Sequence, residues 1–564
     1  MLPNNVPLLR LRAADALSFR PVASLLFLAA CCASCITFPP PERTMDEAPV
    51  PTSFTLYDNV APAPERWWEQ FHSPELDRLV EAALAGNLTL QQIFARLDQA
   101  EMVARQTGAG RWPTLNVTGD ISATRRHIDT GAPTPKIETA TEKVNAVNTL
   151  LRNLAPDEAN DVLAAASGAL QSAQSSLRAL ETLGKSPPSS ETTAITHAYR
   201  LGFATSYEAD LWGRVRAQHR AALLDYEASI EDAYGAILSL AGQVVTQWLG
   251  VVALEQELDL VRTQLELNQT TLSLIEFRFR KGRATALDVF QQRQIVAQTE
   301  SLLPRLESDL QTGRQELAVL LGRPPLSELD ISVGSLPELG PLPEPGLPVE
   351  LLARRPDVRA RGLQLQAADW RVSAARADRL PALRLTGSAS YGAESRDLIF
   401  DNWMAVLAGS LTGPVFDAGR RKAEVLRTKA VVNERLAAYR QSVLTAVNEV
   451  ESSLLQEVKQ TEYIDALQRE IEGARAAHSQ AFERYRKGLN DYLPVLSALT
   501  QLQVLERRMV QANLTRLMLR VKACMALGGS WMDDEPTTLM ENARQDAMDN
   551  GRGHRRAGDK PPEG

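Results

Sequence analysis

The chain has 564 residues, 44% of them hydrophobic and 23% charged, which is enough apolar material for two or more domain-sized units. Its formal net charge of −8 argues against a dedicated nucleic-acid binder, and 32 Gly with 32 Pro are too few for a low-complexity chain. Six scattered His and four Cys leave little material for a metal site or a disulfide framework; no catalytic set emerges, and no cofactor is expected.

In chain order, the first element is a targeting segment. Arg10, Arg12 and Arg20 precede an apolar run at 21–30 that is too short to span a bilayer but suits a signal-peptide core. It ends in "LAAC" at 28–31, which looks like a lipoprotein signal (1–30) with Cys31 as the lipidated residue. Cys35 is the alternative, with a poorer residue three positions before it. No other stretch reads as long enough for a membrane-spanning helix. An extended linker is expected over 31–72.

The body is repetitive. "RFRKG" at 278–282 returns as "RYRKG" at 484–488, so Gly282 and Gly488 are 206 positions apart. Gly213-Arg214 and Gly419-Arg420, and Leu321-Gly322 and Leu527-Gly528, keep the same spacing. Upstream, "RWPTLNVTG" at 111–119 resembles "RLPALRLTG" at 379–387 at a spacing of 268, so the first copy carries 62 surplus residues. A fixed long period marks a duplicated structural unit. The copies are read as 73–323 and 348–532, with a Pro-rich linker at 324–347, an insertion at about 125–197 and a polar, disordered tail at 533–564.

Each copy reads as a short helical pair (74–111 and 348–379), two strands, a very long helix, a turn and a shorter helix. In the long helix at 214–281, Ile237, Ala241, Val244, Trp248, Val251, Leu254 and Leu258 recur in steps of three and four, the seam of a coiled coil. At 1.5 Å per residue it is a rod of about 100 Å, with an antiparallel partner after the turn. Four alternating runs, each read as about nine to eleven residues long, include Leu115 to Ile121, Tyr199 to Ala209, Leu383 to Tyr391 and Trp403 to Leu411. That length suits a tilted transmembrane strand, although a half-buried soluble sheet alternates in the same way. Four strands cannot close a barrel, and lipid tolerates no open edge. Two chains would supply eight strands and three would supply twelve.

The segments "WWEQFHSPELDRLVEAALAGN" (67–87), "YEADLWGRVR" (207–216), "FRFRKGRATALDV" (277–289), "LLGRPP" (320–325), "LLARRPDVRARGLQLQAA" (351–368), "GPVFDAGRRKAEV" (413–425), "YRKGLNDYLPVLSA" (485–498) and "ALGGSW" (526–531) occur in order along nearly the whole mature chain. In them the sequence resembles the TolC-like outer-membrane factors, in particular their lipoprotein (NodT-type) branch. The resemblance implies a mainly α chain with transmembrane β-strands. It implies a homotrimer forming a twelve-stranded β-barrel in outer-membrane lipid, a long periplasmic α-helical barrel and a mixed equatorial belt. It also implies a passive exit duct, neither an enzyme nor a nucleic-acid binder, in a tripartite efflux system with a periplasmic membrane-fusion adaptor and an inner-membrane pump of the proton-driven RND type. Alternatives are the duct of a type I protein secretion system or, in a different class, a periplasmic coiled-coil structural or adaptor protein.

Each pentapeptide falls where a long helix should stop. A C-terminal glycine adopts the left-handed conformation, and Arg and Lys suit the negative end of the helix dipole. Thr285 reads as the next N-cap with Asp288 as a capping-box partner, and Asp491 as the N-cap in the second copy, placing Pro494 third in its helix. By the resemblance, Gly282, Arg283, Thr285, Gly488, Leu489 and Asp491 belong to adaptor-facing tips. Leu493 matches an apolar constriction of the periplasmic gate and Tyr485 an aromatic latch. Pro494 and Ser497 stand where relatives often carry pore-facing aspartates. The expected gate is therefore leucine packing with Tyr485 and Arg486 contacts rather than an acidic ring. Trp112, Trp212 and Trp403 lie at strand ends, as interfacial anchors or core. Cys524 reads as a small packing residue. The insertion, helical over 137–183 between proline-rich flanks, falls on an extracellular loop by the family topology and reads as a passive elaboration, with a lid that narrows the outer opening as the alternative.

Overall fold

A computed structural model describes residues 38–41, 66–128, 192–329, 331, 334–340, 354–393 and 400–528, with scattered positions between 142 and 178. Cys31, Cys35, the signal segment and the tail lie outside the described residues, as do most of the linkers and the insertion. The chain forms two compact units.

The larger unit is helical. Its helices are α1 (Pro74–Gly86), α2 (Leu88–Ala109), α3 (Arg214–Arg280), α4 (Ala286–Glu300), α5 (Leu303–Leu320), α6 (Pro356–Ala377), α7 (Arg420–Arg486) and α8 (Leu493–Leu527). Both α3 and α7 have 67 residues, so each is a rod of about 100 Å. Every positive-φ glycine among the described residues belongs to a pair spaced by 206. Gly213 and Gly419 precede the long helices, Gly282 and Gly488 end them, and Gly322 and Gly528 end the return helices. Left-handed backbone costs glycine little, so the copies share their punctuation as well as their order.

The copies differ in their return helices. The return helix is continuous in the second copy but breaks between α4 and α5 in the first, where Pro304 is the second residue of α5. Proline has no N–H to donate and clashes with the preceding turn. In the second copy α6 matches α2 at the 268-residue spacing, and the stretch corresponding to α1, 342–354, lies outside the described residues but for its last position. The end of the expected linker is not extended: Trp67–Phe71 form a 3₁₀ turn whose Trp67, Trp68 and Phe71 are buried against α1 and α3. Burying such side chains stabilises by roughly 1.5–3 kcal/mol each.

The core runs along the long-helix seams. Ile237, Ala241, Val244, Trp248 and Leu249 of α3 pack with Leu76 and Val80 of α1 and Leu317 of α5. The Trp248 indole donates to Glu75 Oε1 at 2.9 Å. In the second copy Val358, Leu365 and Val372 of α6 pack with Tyr439, Val443 and Val450 of α7. Contrary to expectation, α3 does hold a stretch long and apolar enough for a membrane span, but 67% of that stretch is buried inside the protein. A core helix meets the same criterion without entering lipid.

The smaller unit is one sheet in the order β1 (Thr114–Ile128), β2 (Thr192–Ala209), β3 (Ala382–Ala393) and β4 (Trp403–Thr412), with β1 and β4 at its edges. β1 and β2, at 15 and 18 residues, exceed the expected nine to eleven and extend into the insertion at both its ends. Their added ends pair with each other up to Ile128↔Thr192, so the ladder carries the strands beyond the apolar alternation.

The antiparallel register pairs Leu115 with Thr205, Val117 with Phe203 and Ile121 with Tyr199. These residues therefore share one face. The face continues across the sheet, since a Cβ on Gly387 would stand 2.9 Å from Thr205 Cγ2 and 3.8 Å from Leu407 Cδ1. Leu115, Val117, Ile121 and Leu407 are 66–80% exposed. The opposite face of β1 carries Asn116, Thr118, Asp120, Ser122 and Thr124, also exposed. Among the described residues neither face of β1 or β4 is covered, although one is apolar along most of its length.

Candidate functional site at the hairpin tips

Two helical hairpins, α3–α4 and α7–α8, end in turns built alike. Gly282 N–H donates to Phe279 O and Arg283 N–H to Arg278 O; Gly488 N–H donates to Tyr485 O and Leu489 N–H to Arg484 O. These two bonds satisfy carbonyls that a helix end would otherwise leave unpaired. In the first tip Thr285 Oγ1 accepts from Asp288 N–H at 3.2 Å, and Asp288 Oδ2 accepts from Thr285 N–H at 3.0 Å, a complete capping box.

The second tip departs from expectation. α8 starts at Leu493 with Tyr492 as N-cap residue, and Asp491 provides no cap. Pro494 is therefore second in the helix, where its missing N–H would have had no intrahelical partner. The physical reason lies in Tyr492, which turns inward instead of leaving the turn to Asp491. It is 1% exposed, and its hydroxyl donates to Gln292 Oε1 at 2.5 Å.

A small core joins the tips: Ile275 of α3, Val289 of α4, Tyr485 of α7, and Tyr492 and Val495 of the second hairpin. The Tyr485 and Tyr492 ring centres are 5.2 Å apart. Arg278 places its guanidinium 4.6 Å from the Tyr485 ring centre and donates to Tyr485 O and Arg486 O at 3.3 and 3.4 Å. It thus combines a cation–π contact with a positive charge at the negative end of α7. Burial, and next the charges of Tyr485 and Asp288, push the Tyr492 hydroxyl well above the usual tyrosine range. Tyr485 is raised by burial and Asp288, against the lowering effect of Arg278. Both hydroxyls are neutral at physiological pH. The outer surface of the tips is apolar at Leu287, Phe290, Leu489 and Leu493, each 56–64% exposed.

Comparison with known proteins places this architecture. The profile of the family described as Outer membrane efflux protein matches residues 79–323 and 347–523, both repeats. The chain belongs to the outer membrane efflux protein family. The pyoverdine export outer membrane protein OpmQ of Pseudomonas putida is 33% identical over 478 residues, 84% of this chain and 90% of that protein. The probable outer membrane lipoprotein SilC of Salmonella typhimurium is 24% identical over 90% of this chain and 98% of its own length. The structure of the outer-membrane channel OprN superimposes with a TM-score of 0.71 at 27% identity, covering 88% of this chain and 99% of that one.

This efflux protein is an outer-membrane channel component. Of the residues singled out in its sequence, Tyr485 lies in the tip core. Leu493, Arg486 and Ser497 are exposed, as are Gly282, Arg283, Thr285, Gly488, Leu489 and Asp491. Arg486 does not contact the Tyr485 ring: its side chain pairs with Glu483 at 3.2 Å, three residues away on the outer surface, and Arg278 occupies the ring face. Arg278 opens the RFRKG motif and was visible as a duplicated arginine. Its crossing to the other hairpin was not, because its counterpart Arg484 turns to Asn490 of its own tip. Among the described residues no group of His, Cys, Asp or Glu is placed to hold a metal ion.

Proposed function

We propose that three copies of this efflux protein pool their sheets into one twelve-stranded β-barrel in the outer membrane. Their long helices form a periplasmic α-helical barrel. The observation that carries this reading is the four-stranded sheet, whose edge strand β1 is exposed on both faces, apolar on one and polar on the other. In lipid an open edge would leave backbone groups unpaired at several kcal/mol each, so the edges of β1 and β4 must meet strands of other copies. The apolar face then lies against acyl chains and the polar face lines an aqueous lumen. No catalytic or energy-coupling chemistry is needed; cargo moves passively.

The tips form the periplasmic mouth. Leu493, the first residue of α8, is the constriction, and the exposed turns from Gly282 to Thr285 and from Gly488 to Asp491 meet the adaptor, which joins the duct to an RND-type pump. Cargo selection rests with that pump. A lipidated Cys31, exposed by signal removal, gives a second membrane attachment, and the surplus loop between β1 and β2 faces the exterior. The protein reconstituted in a planar bilayer should show a low resting current that Leu493→Ala raises. A protein that forms no pore, before or after that substitution, would overturn the reading.

A further inference from the structure

Above the tip core, six polar side chains are buried in the seam where α8 crosses the first hairpin. Asn268 of α3 and Gln292 of α4 are fully buried; Tyr492, Gln264, Thr299 and Gln503 are 1–5% exposed. They form a closed ladder. Tyr492 donates to Gln292, and Gln292 Nε2 donates to Asn268 O at 2.8 Å. Asn268 Nδ2 donates to Thr299 Oγ1 at 2.9 Å and to Gln503 Oε1 at 3.3 Å, and Gln503 Nε2 donates back to Asn268 Oδ1 at 3.0 Å. Gln264 Nε2 reaches Gln503 O and Glu506 Oε2, and Arg507 donates to Gln264 Oε1. Both polar atoms of every amide side chain in the ladder have a partner.

The repeat shows that this polarity is not required by the hairpin fold. At the 206-residue spacing Asn268, Gln292 and Thr299 correspond to Ala474, Ala498 and Leu505. The seam of the second hairpin is apolar there, built from Leu467, Ile471, Leu502 and Leu505. An apolar seam can slip or rotate by small repacking. A buried amide ladder has one register that satisfies it, and any other leaves polar groups unpaired in a dry interior.

We infer that the ladder is a register pin that fixes α8 on the first hairpin and so sets the resting position of Leu493. Leu493 directly follows Tyr492, the lowest rung. This inference rests on the proposed closed mouth. The second hairpin is free to adjust along its own apolar seam, while α8 keeps its register against α3 and α4.

The test replaces both members of the central rung, Asn268→Leu with Gln503→Leu. Pairwise replacement leaves no orphan: Gln292 still donates to the Asn268 backbone, Gln264 still donates to the Gln503 backbone, and Thr299 donates to Ile295 O at 2.9 Å. Far-UV circular dichroism checks helix content, and Gln292→Leu with Tyr492→Phe removes the lower rung independently. Resting conductance in a planar bilayer is read beside Leu493→Ala. Either rung variant should raise the resting open fraction roughly tenfold, the loss of about one net hydrogen bond of coupling. Rung variants with wild-type current beside a leaking Leu493→Ala would overturn the pin and leave the gate standing. Wild-type current in all three would overturn the gate, and the pin with it.

Discussion

Arg278 spans the two hairpin tips: its guanidinium covers the Tyr485 ring at 4.6 Å while donating to the last carbonyls of α7. One side chain of α3 thereby completes the end of a helix in the other repeat. Arg278→Ala should loosen the tips, with a coupling to Tyr485→Ala of about 0.5–2 kcal/mol in a double-mutant cycle. Arg278→Lys should retain part of the ring contact but lose the two-carbonyl fork. Resting conductance and thermal midpoint of the four-variant cycle check this; strictly additive effects would show that the contact is incidental.

Tyr492 makes stability sensitive to alkali in a defined sense. Its native pKa lies above the unfolded value near 10, so the native state holds the proton more tightly. The contribution is fully present below about pH 10 and falls as pH rises above that value. Unfolding free energy should carry no Tyr492 contribution to its slope between pH 7 and 9. Tyr492→Phe should flatten part of the alkaline fall and lose about 1 kcal/mol at neutral pH with the Gln292 hydrogen bond. Denaturant unfolding at pH 8 and pH 11 compares the two proteins.

The paired glycines are not equivalent in cost. A Cβ on Gly282 or Gly488 meets nothing within 4 Å, so Gly→Ala there carries only the left-handed backbone penalty, about 1–2 kcal/mol. On Gly322 it would lie 2.0 Å from Gly86 O. Gly322→Ala should therefore destabilise distinctly more than either tip substitution in a thermal or denaturant series. Equal effects would contradict the close approach of these two turns.

Glu457 and Arg520 form an ion pair with both side chains only 3% exposed, closed by bonds of 2.6–3.0 Å. Removing one partner, as in Glu457→Leu, should cost about 3–5 kcal/mol because it strands a buried charge. Adding Arg520→Met should recover much of that loss. Thermal midpoints of the single and double variants decide it.

The sequence announces features that repeat or that punctuate. The 206-residue spacing, the helix-ending glycines and the Thr285–Asp288 cap are local signals, and α3 and α7 follow from them. The break at Pro304 was equally open to reading, since a proline four residues after Glu300 must interrupt the hydrogen-bond ladder. The ends of β1 and β2 were hidden because their pairing continues past the last clear apolar alternation. Asn268 and Gln503 were hidden for another reason. They are 235 positions apart, and each alone looks like a solvated residue on an amphipathic helix. Only the packing of α8 on α3 turns two polar faces into one buried rung. Tyr492 shows the same limit, because Asp491 is the better cap by propensity and a tertiary contact overrides it.

Strand pooling between copies underlies the whole duct, and the mass of the detergent-extracted complex tests it directly. Native mass spectrometry of full-length protein purified from outer membranes should give three chains per particle, the number that yields twelve strands. A monomer or a dimer as the stable membrane-extracted species would contradict it.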